Sequence, residues 1–300
     1  MSLTRRDFVV GASAVALSAR TMAQGTTKPV PIVGEGNYVY EVHHDWLVPP
    51  RNLNWGDTHG VTTDSQGHIY IAHTVGEGSI SKDAICVFDQ KGKFVRSFGS
   101  EFAGGAHGLD LRKEGSQEYL YICDVNRKVV SKTELNGKVL WEFGAPAEAE
   151  WNPSKAGWNP TNVAFLPNGD FLVGDGYGSS HILQFSADGE YRRTIINPGK
   201  EAGKVSCPHG LWVDNRDAKN PILVVADRSN NRLQNFTLDG EHISFVTEGV
   251  RQPCHIHFNK DLMLIPDLAS RVTILGKNNE AVAQLGDGAP TNLRGAKRSE

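Results

Sequence analysis

The sequence predicts an all-β protein with the fold of a β-propeller built from four-stranded blades. The chain of 300 residues carries 32 glycines and shows no helical run of useful length. A unit of roughly 45–50 residues recurs along it, which is the period of a propeller blade. Each unit holds four short apolar strands separated by turn residues. A β-sandwich has comparable strands, but it gives no reason for units to restart on the same His-Gly pattern.

The units are aligned on their first strand, and successive starts lie 48, 54, 48 and 46 residues apart. These starts are His59, His107, Thr161, His209 and His255. Second strands begin at His68, Tyr119, Asp170, Ile222 and Leu262. Third strands begin at Ile85, Lys128, His181, Arg232 and Arg271, and turns such as Lys91-Gly92 and Asn136-Gly137 lead to the fourth strands.

Five units are visible, and the strand at Tyr38–Val42 has no evident hairpin partner. We therefore predict a propeller of the six-bladed type whose sixth blade is missing or truncated, with a closed five-blade ring as the alternative. The predicted boundaries are a signal peptide at 1–24, a linker at 25–37, the propeller at 38–288 and a polar tail at 289–300.

The N-terminus has the order of a twin-arginine export signal. Arg5-Arg6 precedes an apolar run from Val9 to Ala19, and small residues follow near Ala23. The run is too short to span a bilayer. This pattern predicts export to the periplasm or the medium, with no membrane association once the signal is cleaved.

Composition excludes some partners. The chain is 39% hydrophobic and 22% charged, as soluble globular proteins are. A net charge of −3 gives no electrostatic reason to expect a nucleic-acid partner. The oligomeric state stays open, and so does the pairing of the cysteines, none of which shows Cys-x-x-Cys spacing: Cys86, Cys123, Cys207 and Cys254.

Histidines open four of the five units. The first strand of each blade lines the central channel, so its first residue lies at one mouth. A single His-Gly at a strand start is usually structural, but four in register bring imidazoles together around one axis, and such a set suits zinc. The predicted ligands are His59, His107, His209 and His255.

Aspartates close four of the second strands, and their recurrence favours a turn-capping role: Asp124, Asp175, Asp227 and Asp267. Tyr177 and Arg228 follow two of these aspartates and do not repeat. They are candidate catalytic residues, with a buried tyrosine and a salt-bridged arginine as the alternatives. His68, His181 and His242 are expected to face solvent.

The middle blades resemble the NHL-repeat propellers, and specifically the peptidyl-α-hydroxyglycine α-amidating lyase family. The matching stretches lie between about residues 57 and 275 and are Pro160–Ala164, Asp175–Tyr177, Ile182–Ser186, Pro208-His209, Ala226–Arg228 and Asn231-Arg232, with His107-Gly108-Leu109 at the family's first zinc histidine.

The resemblance implies residue roles. His107 and His209 would bind zinc, Tyr177 would act as the base, and Arg228 would orient the substrate. The family's reaction splits a C-terminal α-hydroxyglycine into a peptide amide and glyoxylate. Its third zinc histidine belongs to a sixth blade, so His59 or His255 would have to substitute here.

We therefore expect an exported, zinc-dependent, lyase-like enzyme acting on a small hydroxylated or peptide-like substrate at the channel mouth. One alternative is a non-catalytic propeller that binds a protein or ligand there. Another is a metal-dependent, lactonase-like hydrolase, which would use calcium held by Asp, Asn and Glu in the channel. The histidine-rich mouth disfavours that alternative.

Overall fold

A computed structural model describes residues 30–149 and 157–286. Its described residues from Pro31 onward lie in one compact unit. The predicted signal at 1–24 and the tail at 289–300 lie outside the described residues, as do residues 25–29 of the predicted linker.

Five antiparallel blades confirm the predicted fold, and each begins at its innermost strand. Blade 1 contains β3 (Thr58–Thr63), β4 (Ile69–His73), β5 (Ile85–Phe88) and β6 (Phe94–Phe98). Blade 2 contains β7 (Ala106–Glu114), β8 (Gln117–Asp124), β9 (Val129–Glu134) and β10 (Val139–Phe143). Blade 3 contains β11 (Asn162–Phe165), β12 (Phe171–Gly174), β13 (Ile182–Phe185), β14 (Tyr191–Pro198) and a short parallel addition, β15 (Lys204–Val205). Blade 4 contains β16 (Pro208–Asp214), β17 (Ile222–Asp227), β18 (Arg232–Phe236) and β19 (His242–Val246). Blade 5 contains β20 (His257–Asn259), β21 (Leu262–Asp267), β22 (Arg271–Leu275) and β23 (Ala281–Leu285). Two 3₁₀ turns lie at Ser100–Phe102 and Arg228–Asn230.

The N-terminal strand has a partner, so the prediction that it lacks one was wrong. β1 (Ile32–Glu35) pairs with β2 (Tyr38–Glu41) in a hairpin. The first of these strands falls in the predicted linker, where Gly34 and Gly36 take positive φ angles. A Gly-rich stretch looks like a tether in sequence, yet the same glycines permit this tight hairpin. Blade 5 completes itself with its own four strands.

Neighbouring blades share their apolar cores. Leu109 of blade 2 packs on Tyr70 and Ile85 of blade 1, and Leu211 of blade 4 packs on Leu172 of blade 3. Similar clusters join blades 2 and 3 and blades 4 and 5. Alternating apolar residues on each strand thus bury both faces of the middle blades.

Glycine follows the inner-strand histidine because the next blade comes very close. A Cβ on Gly60 would lie 2.6 Å from the Cβ of Leu109. A Cβ on Gly108 would lie 2.5 Å from the carbonyl oxygen of Thr161, and one on Gly210 would lie 2.7 Å from the Cα of His255. The recurring His-Gly pair therefore combines a side chain at the mouth with clearance for the neighbouring inner strand.

The inner strand of blade 1 is largely exposed. Val61 is 63% exposed, whereas its equivalents Leu109 and Leu211 are 3% and 0% exposed. A closed five-blade ring would cover Val61. The loop before β3 covers only part of this flank, where Leu53 packs with Cys86 and Phe88. The described residues contain no sixth blade, so the truncated six-bladed type stays a prediction.

Candidate functional site

Three of the predicted histidines share one structural position. In blades 1, 2 and 4 the residue before the histidine pairs with the last residue of the second strand, and the histidine sits in the bulge that follows. These histidines are His59, His107 and His209. The bulge turns each imidazole towards the channel mouth.

His255 does not share that position, so its predicted register was wrong by one residue. In blade 5 it is Pro253 that pairs with Asp267, which places Cys254 at the histidine position. His255 takes the place that Gly210 has in blade 4. Spacing between repeats cannot reveal such a slip, because blade 5 lacks the His-Gly pair and its first regular strand begins only at His257.

The predicted residues nevertheless line one cavity at the mouth. It has a volume of about 360 Å³ and includes all six: His59, His107, Tyr177, His209, Arg228 and His255. The packing of successive blades thus brings together residues that lie up to 196 positions apart in sequence. The structure therefore brings together every residue that the sequence singled out for this mouth.

His107 and His209 are held in the same way by backbone carbonyls. His107 Nδ1 lies 3.0 Å from the carbonyl oxygen of Thr161, and His209 Nδ1 lies 2.7 Å from that of Cys254. A carbonyl oxygen only accepts, so Nδ1 carries the proton in both rings. Each Nε2 atom therefore presents a lone pair to the cavity, which is the tautomer that metal-binding histidines adopt.

Both Nε2 atoms face the hydroxyl of Tyr177. The Tyr177 oxygen lies 2.8 Å from Nε2 of His209 and 3.2 Å from Nε2 of His107. The hydroxyl has one proton, so it can donate to only one of these lone pairs at a time. The site is rich in acceptors and suits a bound cation.

Burial keeps these imidazoles neutral. It lowers the pKa of His107 to about 4 and the pKa of His209 well below its ordinary value. Nearby Arg228 lowers both pKa values further. Neutral imidazole is the form that binds metal ions, so the electrostatics of the site favour ligation.

His59 and His255 lie beside this pair without joining its hydrogen bonds. The ring of His59 stacks on that of His107 at 4.6 Å between centroids. Burial lowers the pKa of His255 to about 4. Across residues 30–149 and 157–286, no three His, Cys, Asp or Glu side chains are already grouped to hold a metal ion.

Arg228 is the cation of the site. Its Nη1 donates a long hydrogen bond of 3.4 Å to the Tyr177 hydroxyl, and its Cζ lies 5.1 Å from the centre of that ring. Its Nη2 donates to Sγ of Cys207 at 3.0 Å. Sequence reasoning left Cys207 without a role. All four cysteines are unpaired thiols in the structure.

The loops that carry Tyr177 and Arg228 are anchored by the predicted capping aspartates. Asp175 accepts from the backbone N–H groups of Asn159 and Ser179. Asp227 accepts from the N–H of Ser206 and pairs with Arg232 at 2.7 Å. Asp124 and Asp267 cap their turns in the same manner, so this prediction is confirmed.

Two other histidines are buried, and for His181 this differs from the prediction. His181 is buried at 7% exposure rather than solvated, since the short Tyr177–Ser180 loop folds its ring against Ser179. His73, which the sequence could not place, is buried in blade 1. Its Nδ1 accepts from the N–H groups of Gly56 and Val75, so it supports a loop.

No protein-family model matches the chain. It is 28% identical over 279 residues to peptidylglycine α-amidating monooxygenase from Rattus norvegicus, covering 83% of this chain and 26% of that protein. It is also 28% identical over 238 residues to a probable peptidyl-α-hydroxyglycine α-amidating lyase from Caenorhabditis elegans, covering 70% and 64%. The chain spans about a quarter of the length of the rat and mouse relatives.

Solved structures agree on the fold. A chain of the nidogen/laminin complex has a TM-score of 0.59 at 15% identity, covering 83% of this chain and 84% of that one. Virginiamycin B lyase from Staphylococcus aureus has a TM-score of 0.53 at 14% identity, covering 82% and 73%. At such identities the likeness concerns the fold alone. The chain is therefore a β-propeller whose sequence is similar to those of the peptidyl-α-hydroxyglycine α-amidating lyases.

Proposed function

We propose that the protein is a zinc-dependent lyase that cleaves peptides or small amides ending in α-hydroxyglycine. The products would be the amide and glyoxylate. One observation carries this proposal: two imidazole Nε2 atoms converge on the hydroxyl of Tyr177, with the guanidinium of Arg228 beside it. The lyase relatives support the reaction class.

Two neutral imidazoles at the mouth would be the first ligands of the proposed zinc ion. His107 and His209 would hold the ion through Nε2, since Nδ1 is already engaged in both rings. His59 and His255 line the same cavity and are the candidates for a third ligand. Bound zinc would supply Lewis-acid polarisation of the substrate hydroxyl.

The residues of the chain have separable roles in the proposed reaction. Arg228 would bind the substrate carboxylate, for which a guanidinium is the preferred partner. Tyr177 would act as its phenolate, having first lost its own hydroxyl proton, and would take the proton of the α-hydroxyl while the C–N bond breaks. The carbon then becomes the aldehyde of glyoxylate, and the released nitrogen takes a proton back from the phenol to give the amide.

Metal content and turnover test the proposal together. We expect about one zinc per chain by elemental analysis of the signal-free protein, and loss of that zinc in a His107→Ala/His209→Ala double variant. The wild type should release glyoxylate from an N-acyl-α-hydroxyglycine. A folded wild type without metal, or a zinc-loaded one without turnover, would contradict the proposed function.

We also propose export through the twin-arginine route, on the strength of Arg5-Arg6 and the apolar run that follows. Cell fractionation of a C-terminally tagged chain should place it in the periplasm. Arg5→Lys/Arg6→Lys should keep it in the cytoplasm, and periplasmic delivery of that variant would argue against this route.

A further inference from the structure

Tyr177 and Arg228 lie on loops of different blades. Each loop is fixed to its own blade by its aspartate, Asp175 in blade 3 and Asp227 in blade 4. Those aspartates do not set the distance between the two side chains. The contact between the guanidinium and the phenol therefore needs a connection that crosses between blades.

Cys207 makes that connection with three groups. Its N–H donates to Oγ of Ser180, on the Tyr177 loop, at 3.1 Å. Its carbonyl oxygen accepts from the N–H of Arg228 at 3.3 Å. Its sulfur accepts from Nη2 of Arg228 at 3.0 Å. One residue thus contacts the loop of Tyr177 and both the main chain and the side chain of Arg228.

The backbone supports this interpretation. Cys207 has φ +52°, in the left-handed region that residues other than glycine rarely adopt. Such conformations persist where surrounding contacts over-determine them, and they cluster at functional sites. Ser180, with which Cys207 is hydrogen-bonded across the blade boundary, has φ +65°, but this φ recurs at the same turn of other blades.

The Cys207 sulfur holds one end of the guanidinium, beside which the thiol of Cys254 also lies, while the other end faces Tyr177. Arg228 is only half-buried, and an arginine side chain has many rotamers when nothing holds it. With Nη2 on the sulfur, Nη1 lies at the phenol and Cζ lies over the ring.

We propose that Cys207 is a positioning residue that holds Arg228 against Tyr177 through its sulfur. This inference rests on the proposed function, because the role of Arg228 there is to bind the substrate carboxylate. Cys207 itself touches neither the proposed metal nor the reacting atoms.

The test compares Cys207→Ala, which removes the acceptor, with Cys207→Ser, which keeps one. For α-hydroxyglycine cleavage we expect Cys207→Ala to lower kcat/KM about tenfold, chiefly by raising KM, since a hydrogen bond to a charged group is lost. Cys207→Ser should retain most of the activity. Ser206→Ala, a similar change at the neighbouring residue, is the matched control and should behave as the wild type. Zinc content should not change in any of them.

A double-mutant cycle with Arg228→Ala separates an effect of Cys207 through Arg228 from a non-specific disturbance of the fold or the site. A residue acting through Arg228 has no further effect once Arg228 is gone, so the double variant should match Arg228→Ala alone. Additive losses, or an equal loss in Ser206→Ala, would overturn the proposal.

A readout without turnover keeps the inference distinct from the proposed function. The NMR signal of the Arg228 Nε–H group, assigned by its absence in Arg228→Ala, should be rigid in the wild type and in Cys207→Ser and mobile in Cys207→Ala. Mobility in all three would refute the positioning role. Rigid signals as expected, in a protein that releases no glyoxylate, would refute the proposed lyase activity alone.

Discussion

The hydroxyl of Tyr177 is the point on which the site converges. It lies within 3.4 Å of His107, His209 and Arg228, and each of these comes from a different strand or loop. Its side chain is 41% exposed, so the ring contributes little to the core. A change confined to this hydroxyl should therefore affect chemistry more than folding.

Tyr177→Phe tests the role of this hydroxyl. Turnover of an α-hydroxyglycine amide should fall at least about 100-fold, as expected when a general base is lost. Zinc content and the free energy of unfolding should stay close to the wild-type values. A Phe variant with full turnover would show that another group takes the proton.

At the scale of the element, close packing between inner strands keeps the site histidines together. A Cβ on Gly108 would lie 2.5 Å from the carbonyl oxygen of Thr161, which is also the atom that holds His107. The packing of the two inner strands and the orientation of the His107 ring thus depend on the same contact between blades 2 and 3.

Gly108→Ala should destabilise the protein by about 1–3 kcal/mol, because an extra methyl must push two strands apart. Gly144→Ala is the control, since its new Cβ would meet only the carbonyl oxygen of Lys128 at 3.8 Å. Its effect on the free energy of unfolding should stay within about 0.5 kcal/mol. Equal urea midpoints for the two variants would contradict this account of the His-Gly pair.

The capping aspartates also act at this scale. Asp227 is fully buried and pairs with Arg232, whereas the Asp239 partner of Arg193 is 79% exposed. Asp227→Ala should lower the free energy of unfolding by about 3–5 kcal/mol, because the buried charge of Arg232 and several N–H donors would lose their acceptor. Asp239→Ala should cost less than about 1 kcal/mol. Chemical denaturation of both variants measures the difference, and comparable losses would refute it.

At the scale of the whole molecule, several histidines are buried in the neutral form. Burial lowers the pKa values of His107, His181 and His255 to about 4, compared with 6.5 for an exposed ring. Between pH 6.5 and 4 the unfolded chain therefore binds more protons than the native one. Their contribution to stability is complete above pH 6.5 and is lost as the pH falls towards 4.

His181 lies outside the proposed metal site and offers the cleanest test. The free energy of unfolding of the wild type should fall between pH 7 and 5, by up to about 1.4 kcal/mol per pH unit for each such histidine. His181→Gln should remove one histidine's share of that slope. Parallel pH profiles for the two proteins, from urea titrations, would show that His181 is protonated alike in both states.

Repetition made the fold predictable from sequence. Strand alternation and a recurring unit depend on local chemistry, so the five blades and the capping aspartates followed from the chain alone. The hairpin at Ile32–Glu35 was missed because four residues beside glycines carry little periodicity. His181 was missed because burial depends on how the neighbouring loop folds.

The sequence by itself determined that the first strands of the blades start at one channel mouth, since each repeat fixes the place of its first strand. The tertiary structure decided what they do there. The pairing of Pro253 with Asp267 places Cys254 rather than His255 in the histidine position, and carbonyls from neighbouring blades set the imidazole tautomers. The two hydrogen bonds from the imidazoles to these carbonyls join residues 45 or more positions apart. Only the packing of one blade against the next brings such atoms within hydrogen-bonding distance.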